Sequence, residues 1–322
     1  MLFGKDLAQD FKHIEYWFNT PKPLHLADFE EKVILLDFFA YSCINCRREL
    51  PHVIALYKKY KPYGLVVIGV HAPEFEFEKI PDNMKDIVHQ EKIPYPVAMD
   101  NDLSTWYLYG GEYWPRQVVI DHKKRILLNV TGEGHSHKIE QTIREALQKK
   151  GIILDEVPFE TFQEHTTSFR QTPEIYTGFF RNKDIGSTFD EHQKKYIDPT
   201  EEHKEGILYP NGAWKQNYEY FWHELHTKEY EHLTIVFHAQ EANIVAMPYT
   251  PGETAKVYVE INRCSIPQKL AGKDIRYEDG QSYVLLDKPE LYQLFKSGSR
   301  KTYELRLVTN SPECCIFSFT FG

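Results

Sequence analysis

No stretch of the chain approaches the roughly eighteen consecutive apolar residues of a membrane-spanning helix, and the opening MLFGKDLAQDFKHIEYW lacks the uninterrupted apolar core of a signal peptide. The expectation from the chain as written is a cytoplasmic protein with no membrane span, or an extracytoplasmic one if the chain is a mature form or a fragment. Basic charge is short: 38 Lys and Arg stand against 47 Asp and Glu, a formal net charge of −9. Phosphate neutralisation needs clustered cations, so no nucleic-acid partner is expected. Cysteine is scarce too. Five in 322 residues, an odd count, do not make the dense disulfide framework that holds small secreted domains together. Long low-complexity tracts and internal repeats are missing, and a disordered chain is excluded.

What is present is a globular composition, 42% hydrophobic and 26% charged, in a chain long enough for two cores. From residue 31 to 150 apolar runs alternate with helical patterns, the mark of an α/β unit with a central sheet. Residues 33–39 and 65–70 read as buried strands. Leu50, Val53, Ile54 and Tyr57 recur at helical spacing within 47–60, and 83–91 reads as a helix capped by Asn or Asp. Residues 117–121 and 125–130 read as two strands joined by a short turn, and 137–149 as a closing helix. A parallel half followed by a hairpin and a helix is a thioredoxin arrangement. Residues 1–152 form this expected domain, and 153–204, rich in Pro, Thr, His and charge, a connecting segment. Residues 205–322 form an expected β-sandwich, because short alternating strands recur at 233–238, 257–261, 283–286, 303–308 and 315–321. In the last of these Cys315, Phe317, Phe319 and Phe321 should share one face.

The strongest chemical signal is Tyr41-Ser42-Cys43-Ile44-Asn45-Cys46-Arg47-Arg48, directly after a buried strand. A Cys-x-x-Cys can be half of a zinc site, which needs two further ligands. Cys264, Cys314 and Cys315 lie in the other domain and read as structural thiols, so no metal is expected. A cysteine at a helix N-terminus has its thiolate stabilised by unpaired backbone N–H groups and by the helix dipole. Cys43 is so placed: its thiolate would attack a substrate disulfide, and Cys46, one turn on, would attack Cys43 to release the reduced substrate. The redox group is then the Cys43–Cys46 pair itself, with no other cofactor. Peroxidase chemistry of the Pro-x-x-x-Thr-x-x-Cys type would need Pro at Leu36 and Thr at Ala40, and neither is there.

The run from Asp37 to Cys46 resembles thioredoxin in spacing and resembles more closely the thioredoxin-like domains of the TlpA and DipZ group, which show Tyr-Ser-Cys-Ile-Asn-Cys. Further matches follow in order over about residues 17 to 150: Val67-Ile68-Gly69-Val70-His71, Pro73-Glu74-Phe75, Tyr95-Pro96-Val97, Asp100-Asn101-Asp102, Trp114-Pro115 and Gly132-Glu133-Gly134. The thioredoxin-like domain of NHL-repeat proteins shares several of these, including Gly132-Glu133-Gly134-His135. A weaker likeness to DipZ continues through Thr172-Pro173-Glu174, Tyr176 and Gly178 to the terminal Phe319-Thr320-Phe321-Gly322. In that family the second domain resembles a carbohydrate-binding-module jelly roll. The resemblance implies an α/β thioredoxin fold followed by an all-β jelly-roll-like sandwich. It also implies roles. Asp37, six residues before Cys43, matches the buried acid that takes the proton of the resolving thiol. Pro115 matches the cis-proline facing the reactive pair. Tyr41, Trp114 and the loop Gly132, Glu133 and Gly134 would line the substrate groove, while His135 and His137 read as solvated loop histidines. Trp214, Tyr218, Tyr220, Phe221 and Trp222 make an aromatic cluster that reads as sandwich core, with sugar stacking as the alternative.

The function expected is thiol-disulfide oxidoreduction of protein disulfides or dithiols, coupled to an unidentified redox partner, with a glycan or protein ligand for the sandwich. The rival is a non-catalytic adaptor with a thioredoxin scaffold. A scaffold needs no vicinal dithiol, and the pair is intact.

Overall fold

In the computed structural model, which describes residues 7–162, 170–198, 202–224 and 229–322, the first unit (Met1–Thr167) runs β1 (Tyr16–Phe18), β2 (Val33–Phe39), α1 (Ile44–Tyr60), β3 (Leu65–His71), α2 (Pro81–Gln90), β4 (Val97–Met99), α3 (Ser104–Leu108), β5 (Arg116–Ile120), β6 (Ile126–Thr131) and α4 (Ser136–Gln148). The sheet order is β1-β4-β3-β2-β5-β6. β2, β3 and β4 are parallel, and β5, β6 and β1 join antiparallel. This is the expected thioredoxin fold. β2 sits at the centre with all seven residues buried, which is why its sequence is a continuous apolar run and not an alternation. Ile34, Leu36 and Phe38 pack one face against Ile68, Val70, Val118, Ile120 and Trp106. Asp37, the one polar residue of β2, projects to the other.

Three differences from the sequence reading have local causes. α2 begins at Pro81, whose missing N–H costs nothing in the first turn, so no Asn or Asp cap is needed. Asn83 instead donates from Nδ2 to the Phe77 carbonyl at 2.9 Å. β1, β4 and α3 are three to five residues long, too short to show a period. Finally, the expected connecting segment 153–204 is divided between the units. Leu154 is fully buried and its carbonyl accepts from Arg144 at 3.0 Å, whereas Thr172 donates its backbone N–H to the His238 carbonyl at 3.1 Å.

The second unit (Ser168–Gly322) is an antiparallel sheet of eleven strands folded over one apolar core, a β-sandwich. Its long strands Glu231–Met247 and Glu290–Thr309 exceed the expected 233–238 and 303–308, because register shifts at Ala239/Glu241 and Ala242/Asn243 let each strand turn and continue. A further shift breaks the expected single face of Cys315–Phe321. Val245 pairs with Ser318 and Ala246 with Ile316, so Phe317 is the extra residue. Ile316, Phe319 and Phe321 therefore face the core, and Phe317 does not share their side. The aromatic cluster also divides. Trp214 and Phe221 are core, Trp222 stacks on Tyr249 with centroids 4.3 Å apart, and Tyr218 is exposed beside Phe179 and Phe180. Among the described residues no helix is long and apolar enough to cross a membrane.

Candidate active site

β2 ends at Phe39, and four residues later the chain turns into α1 with Cys43 as its N-cap. The Cys43 backbone is extended, and its sulfur accepts the Cys46 backbone N–H at 3.3 Å. An orphan N–H of the first helical turn is thus spent on the thiol. Cys43 is partly exposed and Cys46 buried, and both are free thiols. Burial raises the Cys46 pKa, and the nearby Cys43 and Asp37 raise it further. Asp37 lies beneath, 3% exposed. Burial lifts its carboxyl to about 7 against a single 3.2 Å hydrogen bond from the Gln117 amide, and Glu49 adds to the rise. Asp37 and Cys46 line one small cavity of about 10 Å³, also bounded by Arg47 and Glu91, room for about one water.

The other expected residues lie in the turn before α1, in the segment leading into β5 and in the loop after β6. The Trp114–Pro115 peptide is cis, and the Pro115 carbonyl accepts from Gly132 N at 2.8 Å, which sets the 132–134 loop beside it. Gly132 and Gly134 have φ of 85° and 86°, left-handed values that favour glycine. Glu133 reaches back to Arg48 at 3.5 Å. Trp114 stacks on Trp106 with centroids 4.9 Å apart. Tyr41 lines the same small cavity as Asp37 and Cys46, with its ring 2% exposed and stacked on His71. His135 donates from Nε2 to the Thr131 carbonyl, 3.2 Å away. Among the described residues no cluster of three or more His, Cys, Asp or Glu side chains could hold a metal ion.

Sequence reasoning passed over two buried acids. Glu49, three residues after Cys46 and so on its helix face, accepts from Gly134 N at 2.9 Å and Ser136 Oγ at 3.1 Å and thereby fastens the 132–134 loop to α1. Burial opposes its ionisation, but His52 and the Gly134 N–H outweigh that and hold its carboxyl below the usual range. An acid one turn after the second cysteine was the available signal. Glu78 is fully buried and accepts from Ser42 N at 2.9 Å, immediately before Cys43, and from Phe75 N at 3.2 Å. Burial and the neighbouring Glu74 raise it to about 7. Its position 36 residues from Ser42 gave no local signal. His71 is buried with neither ring nitrogen partnered, and burial pushes it down to about 3.

Residues 5–128 match the AhpC/TSA family and residues 172–322 the family described as thioredoxin like C-terminal domain. The fold and the cysteine-bearing helix start make the first unit thioredoxin-like, and the two matches divide the chain between that unit and the second. More particularly, the chain is similar to Protein DipZ of Mycobacterium tuberculosis, 41% identical over 190 residues that make 57% of this chain and 27% of DipZ. It thus spans little more than a quarter of that relative's length. It is 38% identical to human NHL repeat-containing protein 2 over 38% of this chain and 17% of that one. It is 28% identical to thiol-disulfide oxidoreductase ResA of Bacillus cereus over 38% of this chain and 68% of ResA.

Proposed function

We propose that the chain exchanges thiols and disulfides with protein substrates through Cys43 and Cys46. The observation that carries this reading is the pairing of a partly exposed thiol at a helix N-cap with a buried thiol one turn on, over a buried carboxyl raised to about 7. The Cys43 thiolate attacks one sulfur of a substrate disulfide, forming a mixed disulfide and expelling the other sulfur as a thiolate, which takes a proton from water. Asp37 then accepts the Cys46 proton, directly or through the one-water cavity, and the Cys46 thiolate attacks Cys43. The second substrate thiolate leaves, the substrate has gained two electrons, and Cys43 and Cys46 are joined. A dithiol partner must reduce that disulfide for another turn. No other cofactor enters, and the cis-Pro115 and 132–134 loop form the edge against which an extended substrate lies.

The test is trapping. Incubated with oxidised insulin, Cys46→Ser should accumulate a mixed disulfide on Cys43 visible by mass spectrometry, and Cys43→Ser should accumulate none and lose turnover. Full reductase activity in both variants would remove the pair from the chemistry and leave the adaptor reading.

A further inference from the structure

The turn that carries Cys43 is held by a buried acid that the thiol exchange does not use. Glu78 stands on the short turn Glu76–Lys79 after β3 and is fully buried. Its Oε1 accepts the Ser42 N–H at 2.9 Å, and its Oε2 accepts the N–H groups of Glu74 and of Phe75, the latter at 3.2 Å. Tyr41 packs on Phe77 of the same turn and on His71 of β3, with centroids 5.9 and 5.5 Å away. The two residues before Cys43 are thus gripped together, Tyr41 by its ring and Ser42 by its peptide.

The grip on the peptide depends on charge. Three N–H groups meet two oxygens, an arrangement that suits a carboxylate, which only accepts. A protonated carboxyl must set its own O–H against one of those donors. A proton on Oε1 gives up one bond and a proton on Oε2 gives up two, so the bond released is the one to Ser42. Ser42 is fully buried, and a buried N–H that has lost its acceptor is costly enough to move its peptide. Both forms occur at ordinary pH, because burial, with Glu74 adding to it, raises the carboxyl to about 7. The polar groups around the turn are the Glu76–Lys79 pair, His71, pushed down to about 3 by burial, Asn83 of α2, bonded to the Phe77 carbonyl, and Asn101 after β4, bonded to the Lys79 carbonyl and to Glu15. Around the cysteines themselves stand Arg47, Asp37, also raised to about 7, and Glu49, held below the usual range.

We infer that Glu78 is a positioning residue for the attacking thiol: as a carboxylate it clamps the Ser42 peptide and keeps Cys43 reactive at the N-cap of α1, and once protonated it releases that peptide and Cys43 slows. This role rests on Cys43 being the attacking thiol of the exchange. Its sign is set by the hydrogen bonds. A carboxylate that acted only by repulsion would disfavour the Cys43 thiolate, whereas a clamp makes the charged form of Glu78 the faster one.

The experiment follows alkylation of Cys43 by iodoacetamide in the full chain, read on the Cys43 peptide by fragment masses. Asp37→Asn is the background, because it removes the other acid raised to about 7. Dividing the rate with Glu78→Gln added by the rate without it cancels the titration of the thiol. The glutamine keeps an oxygen for the Ser42 N–H and cannot be protonated. The ratio should fall from about ten near pH 5.5 to about one near pH 8.5, the size of one hydrogen bond lost on protonation. Glu78→Ala, which has no clamp at any pH, should show the same tenfold fall, from about one to about one tenth. A ratio that stays flat in either variant, or that rises with pH as repulsion requires, would overturn the assignment. Failure of the exchange reading shows separately, as insulin reduction that survives Cys43→Ser.

Discussion

A carboxylate on a strand with no exposed residue is costly when ionised unless it is paired, and Asp37 has only the Gln117 amide at 3.2 Å. The folded carboxyl titrates near 7 against an ordinary 3.8. Between those values the folded chain holds a proton that the unfolded chain has lost, so stability falls as pH rises from about 4 to about 7 and then levels off. Asp37→Asn should therefore be more stable than the parent at pH 8, on the order of 2–4 kcal/mol, and level with it near pH 4. Urea denaturation at the two pH values checks this. Equal stability at pH 8 would mean that burial does not oppose the charge. Glu78, also raised to about 7, acts in the same window and with the same sign, so the variant keeps part of the pH slope. The same substitution removes the proton acceptor of Cys46 and should slow release of the mixed disulfide by about 100-fold or more. Trapping on Cys43 should be untouched.

At the scale of elements, the 132–134 loop shows how the site is assembled from parts far apart in the chain. One end is held by the Pro115 carbonyl, the other by Glu49 of α1. Gly132 has φ of 85° and open space where a Cβ would lie, so Gly132→Ala costs only the backbone strain, about 1–2 kcal/mol. The expected outcome is a matching loss in denaturant midpoint together with a raised KM for insulin and a near-normal rate of Cys43 alkylation. An unchanged KM would detach the loop from substrate binding. The element boundaries that the sequence foretold best, 33–39 and 315–321, are runs whose composition alone marks a buried strand. The facing within 315–321 was misread because the bulge at Phe317 arises from pairing with Val245 and Ala246, residues some 70 positions away.

For the whole molecule, the division after Thr167 has a direct consequence for fragments. Arg144 is 8% exposed and bonds the Leu154 carbonyl, and Glu140, fully buried, accepts the Glu160 N–H at 3.0 Å from each oxygen. A fragment ending at residue 152 leaves both charges short of partners and should be less stable than residues 1–167 by about 3 kcal/mol. The longer fragment should reduce insulin as the full chain does. Comparing the denaturant midpoints and reductase rates of the two fragments checks both statements. Equal midpoints would show that residues 153–162 are not part of the first unit's packing, and an inactive but folded 1–167 would show that the second unit completes the site.

The chain's local chemistry was enough to determine the central strand, the helix that follows it and the cysteine pair at their junction, because apolar runs, helical spacing and a Cys-x-x-Cys all act within a few residues. It did not determine which polar groups that junction would meet. Gly134 meets Glu49 across 85 residues, Asp37 meets Gln117 across 80, and Ser42 meets Glu78 across 36. A buried polar side chain takes its partner from whichever segment the sheet order brings alongside, and that order is set by packing the whole core.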